Sequence, residues 1–149
     1  MTKRDTVRAV LKEKGRKVYA VEPGATVYQA LRLMATCDIG SVMVMSAGEL
    51  RGVFSERDYA RRVVLEGKAS RETRVDEIMT VAPITVELDR SIEDCLHLMT
   101  KFRIRHLPVV DRERVVGMLS IGDLVNWMIE RQGEEIQQLN HYIMGAYPS

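Results

Sequence analysis

The sequence predicts an α+β fold made of two pseudo-symmetric β-α-β-β-α units that pack through their sheets. Three observations lead there. Shifting the chain by 65 positions aligns residues 18–65 with residues 83–130 without a gap, and ten of the 48 pairs are identical, against about three expected from average residue usage. In each copy, a stretch with apolar residues in helical phase is followed by two short β-branched runs joined by a polar turn. At 149 residues and 46% apolar side chains the chain is large enough for a core of its own, burying roughly 68–70% of its unfolded surface.

The elements follow in order. Thr6-Val7-Arg8-Ala9-Val10-Leu11 reads as a short lead-in helix, and Val18-Tyr19-Ala20-Val21 as the first strand. Thr26 then precedes Val27, Ala30, Leu31, Met34 and Cys37 in helical phase, with Gln29 placed to complete a capping box. Ser41-Val42-Met43-Val44-Met45 and Leu50-Arg51-Gly52-Val53-Phe54 are too short and too β-branched for buried helices, and the turn Ser46-Ala47-Gly48-Glu49 joins them as a hairpin. A second helix is expected from about Glu56 to Glu66, ended by Gly67.

After the charged, aperiodic linker 68–74, Val75-Asp76-Glu77-Ile78-Met79 repeats the lead-in and Ile84-Thr85-Val86 the first strand. Ser91 opens the next helix over Ile92, Cys95, Leu96, Met99 and Phe102, with Asp94 a weaker capping partner than Gln29. The second hairpin pairs Leu107-Pro108-Val109-Val110 with Val115-Val116-Gly117-Met118-Leu119 across Asp111-Arg112-Glu113-Arg114. Pro108 has no N–H to give a neighbour, so its strand should present that position at an edge or at its start. The last helix of the repeat should run from Ile121 to Arg131, before Gly133. The units are therefore 6–67 and 75–131, followed by an extension over 132–149 in which Ile136, Leu139 and Ile143 share a helical face suited to docking on the domain or on another subunit.

Composition excludes several functions. With 22 basic and 21 acidic side chains the chain has no excess charge for nucleic acid. It contains no apolar run of membrane-spanning length, and Met1-Thr2-Lys3-Arg4-Asp5 lacks the apolar core of a signal peptide. A cytoplasmic protein without a membrane partner is expected. Cys37 and Cys95 fall on the apolar phase of helices and read as buried free thiols, not as metal ligands. There is no Gly-x-x-x-x-Gly-Lys-Ser/Thr loop, no Gly-x-Gly-x-x-Gly turn and no evident nucleophile–base pair, so no enzyme and no catalytic cofactor are expected.

The chemistry that repeats is Gly52-Val53-Phe54-Ser55-Glu56-Arg57-Asp58 and Gly117-Met118-Leu119-Ser120-Ile121-Gly122-Asp123. A carboxylate can accept both hydroxyls of a ribose, and the first turn of a helix offers free N–H groups to a phosphate. Ser55 and Ser120 are equally suited to capping, and an acid three residues later favours the helix dipole whatever binds nearby. The two roles can coexist. Arg57, Arg61, Arg62, Arg103, Arg105 and His106 are candidate phosphate contacts in one reading and a solvated basic face in the other; Lys17 is a weaker candidate.

The doubled Gly-apolar-apolar-Ser-x-x-Asp motif, with Arg105-His106-Leu107-Pro108-Val109-Val110 before the second copy, resembles the tandem cystathionine β-synthase (CBS) domain pair over about residues 6–131. Ser55-Glu56-Arg57-Asp58-Tyr59-Ala60-Arg61 is similar to the segment found in small stand-alone bacterial members. The resemblance implies a non-catalytic regulatory module that binds adenosine compounds such as AMP, ADP, ATP, S-adenosylmethionine or NAD(H) in clefts between the copies. It places Asp58 and Asp123 on ribose hydroxyls, Ser55 and Ser120 beside the ribose or phosphate, and the base against Val18-Tyr19 and Ile84-Thr85. It also implies a homodimer associated through the helices carrying Met34 and Met99, and a protein target not named by the sequence. Because Glu56-Arg57 becomes Ile121-Gly122, the two clefts should differ, with AMP in one and NAD(H) in the other as the specific expectation. The alternative is an adaptor with vestigial clefts, acting through protein–protein contacts alone.

Overall fold

The computed structural model describes the backbone of residues 5–146 and the side chains of residues 5–134. Among these residues five α-helices and seven strands follow in the order α1 (Val7–Lys14), β1 (Ala20–Val21), α2 (Val27–Cys37), β2 (Ser41–Ser46), β3 (Glu49–Ser55), α3 (Glu56–Asp58), β4 (Thr80–Val81), β5 (Val86–Glu87), α4 (Ile92–Phe102), β6 (His106–Asp111), β7 (Arg114–Ser120) and α5 (Ile121–Ala146). One sheet has the order β1-β2-β3-β4 and the other β5-β6-β7. In both, the first strand runs parallel to the second and the hairpin is antiparallel, with a register shift at the same place, Val44/Met45 and Val109/Val110.

Local chemistry fixes the elements where the sequence placed them. Thr26 and Gln29 form the reciprocal capping box, while Ser91 accepts from the Asp94 N–H without a returned bond. Both hairpins close through two residues at positive φ, Ala47 and Gly48 (52° and 79°) and Arg112 and Glu113 (51° and 69°). That left-handed pair matches the twist of the flanking strands. Phe54, Val42 and Val44 are buried in one core, and Leu107, Val109 and Leu119 in the other.

Chain order and packing part company at the lead-in segments. Val7, Val10 and Leu11 of α1 are buried with Ile92, Leu107 and Leu124 of the second copy, whereas Val75 and Ile78 are buried with Val27, Met34 and Phe54 of the first. The hydrogen bonds are reciprocal: Val7 donates to Arg90 and Ile92 to Asp5, as Val75 donates to Ala25 and Val27 to Thr73. Each lead-in thus seals the helix start of one unit, and α1 reaches across the chain to do it.

Several sequence expectations need correction. Gly133 does not end a helix, because α5 continues through it to Ala146; Arg131 pairs with Glu134 across the glycine at 2.9 Å, and an exposed glycine inside a helix costs only about 1 kcal/mol. The expected helix 56–66 is one α turn followed by a π-helix, Tyr59–Val64, in which Arg62 donates to the carbonyls of Ile78 and Met79. The first strands are shorter than expected, leaving Val18, Tyr19, Ile84 and Thr85 ahead of them. Pro108 is the third residue of a central strand, not an edge. It is tolerated because β5 pairs with β6 only from Val109 onward; the equivalent Met43 does use its N–H, on the Tyr19 carbonyl. Met34 and Met99 themselves point into the cores, and Cys37 is half-buried while Cys95 is buried. The expected apolar face Ile136, Leu139 and Ile143 lies outside the described side chains.

Candidate functional site

β3 ends in the first motif. Ser55 caps α3, its Oγ accepting from the Asp58 N–H at 3.2 Å. In return Asp58 Oδ2 accepts from the Ser55 N–H at 2.9 Å and from its hydroxyl at 3.0 Å. Oδ1 accepts from the Thr80 hydroxyl at 3.2 Å, with the Arg62 Nε 4.0 Å away. The carboxylate is therefore oriented by its own helix start and by β4, although Asp58 is only 8% exposed. The expected capping role is real.

The same residues line a cavity of about 840 Å³ between the two copies. Ser55, Glu56, Arg57, Asp58 and Thr80 form one side, and Ile104, Arg105, His106, Ser120 and Gly122 face them. Val53, Ile84 and Phe102 supply apolar wall. Arg57 donates to the carbonyl of Arg103, which sits at positive φ beyond α4, so the two arginines are held together at this seam. His106 opens β6 beside Gly40, where an added Cβ would lie 3.4 Å from the imidazole. Burial, then the nearby Lys14 charge, pushes the His106 pKa down from 6.5 to about 4, partly opposed by Asp123. It is a neutral wall residue at pH 7.

The second motif is built alike but filled differently. Ser120 donates its N–H to Asp123 Oδ2 at 2.8 Å, and the Asp123 N–H returns to Ser120 Oγ at 3.1 Å. Thr80 meets Asp58 at Oδ1; at Asp123 the ammonium of Lys14 instead meets Oδ2, the oxygen that also accepts from Ser120, at 2.5 Å, and the Met118 carbonyl at the same distance.

Of the sequence candidates, Ser55, Arg57, Asp58, Ile84, Arg103, Arg105, His106 and Ser120 converge on the one cavity. Lys17, Val18, Tyr19, Thr85 and Asp123 are not in its lining; Lys17 lies over the Tyr19 ring at 5.1 Å. Arg62 serves the backbone of Ile78 and Met79, and Arg61 is exposed. Thr80, Phe102 and Lys14 were missed. For Thr80 and Lys14 the only signal was the likeness of the two lead-ins, which both residues follow; Phe102 ends the apolar phase of α4.

Residues 5–65 and 75–130 each match the sequence model of the CBS domain. The chain belongs to the CBS-domain family. A CBS-domain protein of Bacillus subtilis, YhcV, is 34% identical over 84% of this chain and 90% of its own length, and the mitochondrial CBSX3 of Arabidopsis thaliana is 37% identical over 95% and 73%. Among solved structures, a protein with CBS domains from Burkholderia ambifaria MC40-6 superimposes with a TM-score of 0.82 at 45% identity, covering 85% of this chain and 96% of that one. The CBS pair of the protein MJ0100, solved with 5′-methylthioadenosine and S-adenosylmethionine, shares the fold at 23% identity, a TM-score of 0.74, and coverage of 83% and 98%. CBS pairs are regulatory modules, and stand-alone ones are generally not catalytic. No helix among the described residues is long and apolar enough to cross a membrane.

Proposed function

We propose that this CBS pair is a regulatory module that binds an adenosine nucleotide, AMP, ADP, ATP or NAD(H), in the Asp58 cleft. The observation that carries the reading is the position of the Asp58 carboxylate: nearly buried, pre-oriented by Ser55 and Thr80, and facing a cavity of about 840 Å³ with apolar walls and arginines at its seam. A volume of that order suits a nucleotide-sized ligand. The carboxylate suits a ribose diol, Val53, Ile84 and Phe102 suit the faces of a base, and Arg57, Arg103 and Arg105 suit phosphate oxygens. That MJ0100 was solved with adenosine compounds supports the choice of ligand class.

Regulation follows from where the cavity lies. Its walls come from both copies, so a bound nucleotide would favour one packing of the copies over another and change the surface offered to a protein target. Exposed Val64 and Leu65 at the end of the π-helix, and Val125 and Ile129 on α5, offer apolar surface for a homodimer. A thermal-shift panel tests the reading. A nucleotide at about 100 times its Kd adds roughly 2.7 kcal/mol, several degrees for a chain of this size. The wild type should shift with at least one adenine nucleotide and Asp58→Ala should not; no shift with any of them would leave the protein an adaptor.

A further inference from the structure

Taking the nucleotide reading of the Asp58 cleft as its basis, we propose that Lys14 closes the second cleft, so that each chain takes up one adenosine nucleotide and not two. The two Ser-x-x-Asp motifs share the reciprocal backbone cap, and besides Ile121-Gly122 in place of Glu56-Arg57 they differ in what the swapped lead-in delivers. After the turn Val75–Glu77 the chain brings Thr80 to Asp58. A neutral hydroxyl there can rotate away and release Oδ1 to a ribose. At the end of α1 the chain brings Lys14 to Asp123, and the ammonium bridges the carboxylate and the carbonyl of Met118 in β7.

α1 is anchored for this task. Leu11 packs onto Gly117, where an added Cβ would sit 3.0 Å from the leucine methyls, and Val7 and Val10 are buried below it. Lys14, one turn further on, is thereby carried to the motif. Its side chain is 35% exposed and that of Asp123 21%, so the pair is partly shielded from solvent. Lys14 holds Oδ2, the oxygen that also accepts from the Ser120 N–H, so a ribose approaching Asp123 meets a carboxylate whose charge is already paired and must push aside the ammonium, which then loses the Met118 carbonyl as well. The affinity lost at that cleft should be about tenfold or more. The basic side chain is thus an intramolecular occupant of a ribose grip.

Calorimetric titration with AMP of the wild type, Lys14→Thr, Asp58→Ala and the double variant Lys14→Thr/Asp58→Ala tests this, with circular dichroism melts to establish that each is folded. The expected stoichiometries are one, two, none and one. Lys14→Arg, which keeps a cation at the position, should stay at one. Two equivalents in the wild type, or one in folded Lys14→Thr, would overturn the closure while leaving the Asp58 site standing. No binding by any of the proteins would overturn the nucleotide reading and the closure with it.

Discussion

The carboxylate of Asp58 accepts three hydrogen bonds from Ser55 and Thr80, while His106 across the cavity is held neutral by burial and by the Lys14 charge. The histidine makes a prediction about pH. Its native pKa is about 4 and its ordinary value 6.5, so between these values the unfolded chain takes up a proton that the native protein refuses. Stability is then fully present above pH 6.5 and is lost as pH falls through the native pKa. His106→Gln should lose less melting temperature than the wild type between pH 7 and pH 4, as read by differential scanning calorimetry on both proteins; parallel losses would show that burial of the imidazole is not felt.

At the scale of elements, each motif glycine is explained by the lead-in segment that lies on it. A Cβ at Gly52 would sit 2.6 Å from the backbone oxygen of Thr80 and 2.7 Å from the Met79 sulfur, so β4 could not pair with β3 as it does. At Gly117 the nearest atoms are Leu11 methyls at 3.0 Å, which can yield by a rotation. Gly52→Ala should therefore destabilise by about 1–3 kcal/mol and Gly117→Ala by less, measured as urea midpoints; equal effects would contradict the difference in packing. Gly52→Ala should also displace Thr80 and so weaken nucleotide binding.

The elements themselves were largely legible in the sequence because their signals are local. The box of Thr26 and Gln29, the apolar phase of α2 and α4, and the polar turns of both hairpins each act within a few residues. Pro108 misled, since the rule that confines proline to edges assumes a neighbour strand long enough to need its N–H, and β5 has two residues. Gly133 misled because a glycine stops a helix only where the chain turns, and here the helix continues.

For the whole molecule, the reciprocal exchange of lead-ins determines both the domain boundary and the asymmetry of the clefts. The half of the site carried by Ser55, Asp58, Ser120 and Asp123 could be read from a repeated motif, because repetition in register is visible in one sequence. The half carried by Thr80 and Lys14 could not: Thr80 reaches Asp58 through the pairing of β4 with β3, and Lys14 reaches Asp123 through α1 packing against β7 more than 100 residues away, at Lys14 and Met118. No periodicity reports such a contact. It is this long-range placement that makes two equivalent motifs into one open cleft and one occupied by a lysine.

The most direct measurement is a crystal structure of the protein grown with AMP. One nucleotide per chain is expected, with its ribose hydroxyls on Asp58, its base among Val53, Ile84 and Phe102, its phosphate toward Arg57, Arg103 and Arg105, and Lys14 still on Asp123. Ribose density at Asp123 with Lys14 displaced, or an empty Asp58 cleft at saturating AMP, would contradict it.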